Sequence, residues 1–235
     1  MLKNIRGHHF FDDNINSESK VIDLGAYKGD FAKGISTNYG SDVLSVEANP
    51  SLFDELPVIN NVRFINKAVT SHVSEIKFFI GDNLEGSSIK SSHSCVGDNF
   101  SMVEGIPLDM LMLENGIDSV ELIKIDIEGA EIELFNSTSD EVINNIDQIT
   151  VEFHDFIDEL NIKKEVAKIK KRMKLLGYYC FIFESPNKDV LFVKKSKGLV
   201  TFSSFFYIKI SSKIKIIYKK IRFRITDSIK KILRI

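Results

Sequence analysis

The chain has 235 residues, 43% hydrophobic and 27% charged, which suits one large globular domain with a core of its own. That composition excludes wholesale disorder, a collagen-like fibre and a polytopic membrane protein, and two cysteines, Cys95 and Cys180, exclude a disulfide scaffold and point to a reducing compartment. The net charge of −2 hides a split: residues 199–235 carry ten bases against the single acid Asp227, a net +9, so the remainder stands at −11.

The amino-terminal MLKNIRGHHFFDDN lacks the apolar run of a secretory signal. Its His8, His9, Asp12 and Asp13 have no recognised ligand spacing, so residues 1–19 read as a solvated lead-in and no metal is expected.

From Val21 onward short apolar runs alternate with helical stretches, the pattern of βαβ units around a parallel sheet. Val21–Leu24 predicts a first strand, followed by a glycine turn and a helix to about Tyr39. Val43–Glu47 is a second strand, with Asn49-Pro50 turning into a short helix through Leu56, and Val62–Asn66 is a third. Glu75–Ile80 and Ser87–Val96 read as an inserted hairpin. Pro107–Glu114 predicts a helix stopped by Gly116, Leu122–Asp126 a fourth strand, Glu131 to about Asn145 a helix, and Gln148–His154 a fifth strand. Asn161–Leu176 is a lysine-rich amphipathic helix ended by Gly177. Tyr178–Phe183 and Val190–Lys194 close the pattern as an antiparallel pair. The domain is therefore expected over residues 20–196, with residues 197–235 as an appended tail.

Chemistry gathers at three strand ends. In Asp23-Leu24-Gly25-Ala26-Tyr27-Lys28-Gly29 a strand runs into a glycine turn whose G-x-x-x-G spacing is neither a dinucleotide fingerprint nor a phosphate loop. Glu47 ends the second strand, where a carboxylate can accept both hydroxyls of a ribose. With no pyrophosphate cradle, this set suits a cofactor with an amino-acid tail, S-adenosylmethionine. In Lys124-Ile125-Asp126-Ile127-Glu128, alternation sends Lys124 and Asp126 to one face. Glu128 and Glu131 fall where a helix begins and its dipole favours carboxylates. Glu152 and His154 share a face at the end of the fifth strand, and neighbouring strands would bring His154 near Asp126 as a general base.

The strings VIDLGAYKG, VEANP and LIKIDIEGAEIELF resemble the FkbM-type family of S-adenosylmethionine-dependent methyltransferases over about Val21 to His154. Gly105-Ile106-Pro107-Leu108-Asp109 also resembles the segment that precedes the family's fourth strand. The resemblance implies an α/β, Rossmann-like class I methyltransferase fold: a doubly wound, seven-stranded, mostly parallel sheet in the order 3-2-1-4-5-7-6. It implies methyl transfer to oxygen, often of a sugar or other polyhydroxylated acceptor. Carried over by position, Asp23, Gly25, Ala26 and Gly29 would hold the methionine end of the cofactor and Glu47 the ribose. Ala68 would lie towards the adenine and Asp126 would line the site by the methyl group; the strand-end reading itself adds Lys124 and His154 to the catalytic set. Tyr27 and Ala48 stand where the family often has Asn and Pro.

In the tail, Ile210, Ile214, Ile217, Ile221, Ile225, Ile229 and Ile232 recur at helical spacing among lysines and arginines, after the aromatic lead-in Phe202, Phe205, Phe206 and Tyr207. A basic amphipathic helix of this kind fits an anionic membrane surface. Its isoleucines also suit a strand, and its charge could instead meet the acidic body, a partner or nucleic acid, although RNA-binding aromatic motifs are absent. The expectation is a cytoplasmic enzyme that its tail can hold at a membrane. The rival reading is a non-catalytic, methyltransferase-like binding module recruited by the tail, and a nicotinamide-dependent reductase is disfavoured by the glycine spacing.

Overall fold

A computed structural model describes residues 1–81, 96–155, 162–211 and 214. Its main sheet contains β3 (Lys20–Leu24), β4 (Asp42–Glu47), β5 (Val62–Asn66), β9 (Leu122–Ile125), β10 (Gln148–Val151), β11 (Tyr178–Glu184) and β12 (Asp189–Lys194), in the order β11-β12-β10-β9-β3-β4-β5. Only β12 runs antiparallel to its neighbours. Numbered by position in this sheet, that is the expected 3-2-1-4-5-7-6.

Alternation along each strand divides the side chains between two helical layers. Ile22, Leu24, Leu44, Val46, Ile123 and Ile125 point to one face and pack with residues of α3 (Leu108–Glu114), α4 (Glu131–Ser137), α5 (Asp140–Asn144) and α6 (Lys163–Leu175). Val21, Val43 and Leu122 point to the other face and meet Phe31, Ala32 and Ile35 of α1 (Asp30–Tyr39). The short α2 (Pro50–Asp54) follows β4, capped by Asn49, whose side chain accepts from Ser51 N–H.

The amino terminus departs from the expected solvated segment. β1 (Leu2–Ile5) and β2 (His8–Phe11) form an antiparallel pair, and β2 lies against β10 and β12. Alternation in His8-His9-Phe10-Phe11 buries His8 and Phe10. Phe11 joins Phe181, Leu191, Val193 and Ile208 in a separate apolar cluster, and Gln148 closes the contact by exchanging hydrogen bonds with the Phe11 backbone. Residues 1–19 are thus built into the body.

Three other expectations shift. The inserted hairpin pairs β7 (Ser74–Gly81) with β8 (Val96–Ile106), joined by β6 (Ala68–Val69) in a three-stranded sheet. The second strand thus begins where the sequence pattern ended it, and most of Ser87–Val96 lies outside the described residues. The helix over Glu131–Asn145 is two, because Thr138 leaves the helical conformation and Ser139 caps α5 through Val142 N–H. The fifth strand stops at Val151, beyond which Phe153 N–H donates to Asn187 instead of continuing the ladder. The sheet ends at Lys194, and residues 202–211 are helical, with Phe205 and Ile208 seated on the β11–β12 face. The remaining stripe, apart from Ile214, lies outside the described residues. No described helix is long and apolar enough to cross a membrane.

Candidate active site

On the α1 face, one step from the carboxyl ends, register aligns Ser45, Asp23, Lys124 and Thr150 across four adjacent strands. This row is polar yet buried, so it must be satisfied internally. Ser45 Oγ donates to Asp23 Oδ2 at 2.9 Å, and Lys124 Nζ lies 3.2 Å from Asp23 Oδ1. The same ammonium donates to the carbonyls of Leu24 (3.3 Å) and Gly25. Burial pulls the Lys124 pKa down, but the charges of Asp23 and then Asp126 outweigh it and hold it above the ordinary lysine value. Lys124 is therefore a fixed cation that positions the turn and cannot take a proton. Asp23, with no exposed surface, is its buried counter-ion. Asp23 Oδ1, paired with Lys124, accepts no hydrogen bond among the described residues.

The glycine turn follows directly. Gly25 has φ +86°, and an added Cβ would stand 1.8 Å from the Asp126 carbonyl oxygen. The N–H groups of Gly25 and Ala26 both donate to Val46 O at 2.9 Å, which pins the turn from the β4 side. Gly29 (φ +76°) precedes α1, and a Cβ there would press on Phe64 at 3.1 Å. Gly29 thus lets α1 pack close against Phe64 of β5.

Glu47 is buried, and its carboxylate bridges two turns: Oε2 accepts Tyr27 N–H at 2.7 Å and Oε1 accepts Asn49 N–H at 2.8 Å. Burial raises its pKa, against the opposing pull of those two N–H donors and Lys124. Each oxygen keeps acceptor capacity beyond its backbone bond. Ala68, the expected adenine neighbour, is buried in β6 and packs with Phe78, Val103 and Ala48. Its methyl group is core rather than cleft.

At the ends of β9 and β10 the accessible groups are Asp126 and Glu128, whose side chains are 30% and 37% exposed. Burial acts to raise the Asp126 carboxyl, but Lys124 first and then His8 and His154 hold it well below the usual carboxylate range. His154 lies between carboxylates: Nδ1 is 2.9 Å from Glu131 Oε1, and Nε2 is 3.2 Å from Glu128 Oε2 and 3.8 Å from Asp126 Oδ1. Burial lowers its pKa, yet Glu131 and Glu128 override this and push it up to about 11. A ring held as imidazolium is not a general base at neutral pH, which corrects that expectation. Nearby, burial and the Asp126 charge push Glu152 up to about 7. The ligand-type atoms of Asp126, Glu128 and His154 all lie within 4.8 Å of one another.

The pKa of His154 has a consequence for stability. A folded-state value raised from 6.5 to about 11 contributes stability in full below the unfolded value and loses it as pH rises towards the folded one. In a chelating buffer, the melting temperature should fall as pH rises from 7 to about 10, with a flatter profile for His154→Gln. Parallel profiles would show that the ring is not held charged.

One member of this cluster escaped the sequence reading. His8 Nε2 faces Asp126 Oδ2 at 3.7 Å, delivered by an unanticipated strand. Only the alternation in HHFF hinted at it. Glu131, placed by the sequence at a helix start where the dipole favours a carboxylate, also anchors His154 and accepts Gly129 N–H at 3.0 Å.

The "Methyltransferase FkbM domain" family matches residues 23–180. No curated protein matches the chain. Similar solved structures include precorrin-6y C5,15-methyltransferase from Geobacter metallireducens GS-15, with 11% identity over 77% of this chain and 82% of that one and a TM-score of 0.43. The fibrillarin pre-rRNA processing protein of Methanococcus jannaschii has 14% identity over 82% and 69%, with a TM-score of 0.43. A human methyltransferase 10 domain containing protein has 10% identity over 77% and 72%, with a TM-score of 0.41. The conclusion rests on the family match, which spans more than half of the chain and agrees with the observed strand order: the chain belongs to the FkbM methyltransferase family.

Proposed function

We propose that the protein is an S-adenosylmethionine-dependent O-methyltransferase acting on a hydroxyl of a sugar, glycan or other polyhydroxylated acceptor. The observation that carries this reading is the placement of Gly25, Glu47 and Asp126 around the carboxyl ends of β3, β4 and β9. There the strand order reverses direction, the crevice where doubly wound sheets bind ligands.

The residues present fit the cofactor. The Gly25 turn brings backbone, without a side chain, against Asp126, and Glu47 combines a fixed orientation with spare acceptor capacity for ribose hydroxyls. S-adenosylmethionine when bound supplies an activated methyl group on a sulfonium. Glu47 orients the glycine turn through Tyr27 N–H, and Lys124 holds the Gly25 carbonyl from beneath. Asp126, ionised and accessible, offers negative charge to a positively charged donor and an acceptor to a hydroxyl. Glu128 adds a second accessible carboxylate at the same rim, as suits a hydroxyl-rich acceptor.

A cytoplasmic location and an anionic membrane surface as partner for residues 199–235 belong to the same proposal. The helix over 202–211 supports the membrane surface by leaving Phe202 and Tyr207 exposed beside its docked face, next to the basic run.

The test is calorimetric titration with S-adenosylhomocysteine. Micromolar binding should fall at least tenfold in Glu47→Ala, about 1.4 kcal/mol. Folded wild-type protein that binds none would overturn the enzyme reading in favour of a binding module.

A further inference from the structure

We propose that Asp126, Glu128 and His154 form a binding site for a first-row divalent metal ion. Residue spacing in the sequence gives no sign of a metal, whereas the structure supplies three reasons for one.

The first is spacing. Two ligand atoms about 2.1 Å from one ion stand roughly 3.0 to 3.4 Å apart for right-angled to tetrahedral geometry. His154 Nε2 lies 3.2 Å from Glu128 Oε2 and 3.8 Å from Asp126 Oδ1. Closing the second distance needs only a few tenths of an ångström from Asp126, the partly exposed member. Two ligands come from the turn after β9 and the third from beyond β10, so adjacent parallel strands fix their separation.

The second is what lies behind the ring. Metal-bound histidines characteristically give their other N–H to a carboxylate, which orients the imidazole. Glu131 does this for His154: its carboxylate is fully buried, meets Nδ1 at 2.9 Å and is itself fixed by Gly129 N–H. This turns Nε2 towards Asp126 and Glu128, the side on which a metal would be held.

The third is His8. Its ring is buried, and Nε2 is aimed at Asp126 Oδ2 from 3.7 Å, beyond hydrogen-bond length. It faces the carboxylate oxygen turned away from His154 and can brace it when the other oxygen binds an ion. Three carboxylates, Asp126, Glu128 and Glu131, gather here around His154. The nearby cation Lys124 is shared between Asp23 at 3.2 Å and Asp126 at 3.9 Å, and meets neither Glu128 nor Glu131 in an ion pair among the described residues. A divalent ion would balance that excess.

One imidazole with two carboxylates favours manganese, iron or zinc over calcium, and leaves coordination positions open at the exposed rim. The role of the site rests on the O-methyl transfer proposed above. An ion here would lower the pKa of an acceptor hydroxyl bound at one of its open positions. The hydroxyl proton would pass to water, the oxygen would form the new C–O bond as the methyl–sulfur bond breaks, and the donor would leave as a neutral thioether.

The test is manganese(II) titration of chelator-stripped, full-length protein, followed by the loss of the free-ion paramagnetic resonance signal. One site is expected, weakened at least about tenfold in both Asp126→Asn and Glu128→Gln. Glu128→Gln, on an exposed side chain, guards against loss of fold. Absence of binding by manganese and zinc, or wild-type affinity in both variants, would overturn the site. S-adenosylhomocysteine titration of the same stripped sample separates the two readings: cofactor binding without metal binding removes only the metal site, and the converse removes only the cofactor assignment.

Discussion

Gly25→Ala should abolish S-adenosylhomocysteine binding and destabilise the protein by about 4 kcal/mol or more. Two costs add. A non-glycine residue at φ +86° loses about 1–2 kcal/mol from left-handed backbone alone. The larger cost is steric, since the new Cβ would stand 1.8 Å from the Asp126 carbonyl oxygen. Neither side can yield cheaply. The turn is pinned to Val46 by two N–H groups, and Asp126 N–H is bonded to Leu24 O at 3.0 Å. Relief would require parting the ends of β3 and β9, the place where Lys124 and Asp126 are set. Gly116→Ala is the control, because Gly116 also has positive φ (+63°) but nothing within 4 Å of an added Cβ. It should cost about 1 kcal/mol and leave ligand binding unchanged. Thermal unfolding and calorimetric titration of both variants would decide the matter. A Gly25→Ala protein that binds like wild type would show that the turn does not shape the site.

The contrast between these glycines shows where sequence reading succeeds and where it stops. Strand–turn–helix periodicity and the Gly25 turn are local, so the parallel strands and their helices could be placed within a few residues. Glu47 and Asp126 were legible because strand ends in such sheets face the ligand crevice. What lay hidden depends on register between distant segments. An acid at position 23 gives no sign of its ion pair until β9 sets Lys124 opposite it. A histidine at position 154 looks like a base until Glu131 and Glu128 close on both ring nitrogens. His8 was the hardest to foresee, since a four-residue strand carries too little pattern to separate from a solvated lead. Its burial depends on a groove that exists only once β10 and β12 are paired.

Lys124→Met is expected to cost about 3–5 kcal/mol, a loss of roughly 10 °C in melting temperature for a chain of this size. Methionine fills a similar volume, so packing changes little. Charge is what is lost: Asp23, with no exposed surface, would keep only Ser45 Oγ as a partner. The Gly25 carbonyl would lose its ammonium donor, and Asp126 would lose the cation that does most to hold its carboxyl ionised. Single removal leaves an uncompensated buried carboxylate, whereas removal of both charges does not. The double variant Asp23→Asn/Lys124→Met should therefore recover more than half of the lost stability. It should not recover ligand binding, because the turn still lacks its support from beneath. Calorimetric unfolding of the wild type, both single variants and the double variant gives the coupling energy directly. A coupling below about 1 kcal/mol would show that the Asp23–Lys124 pair is a weak contact rather than the electrostatic floor of the site.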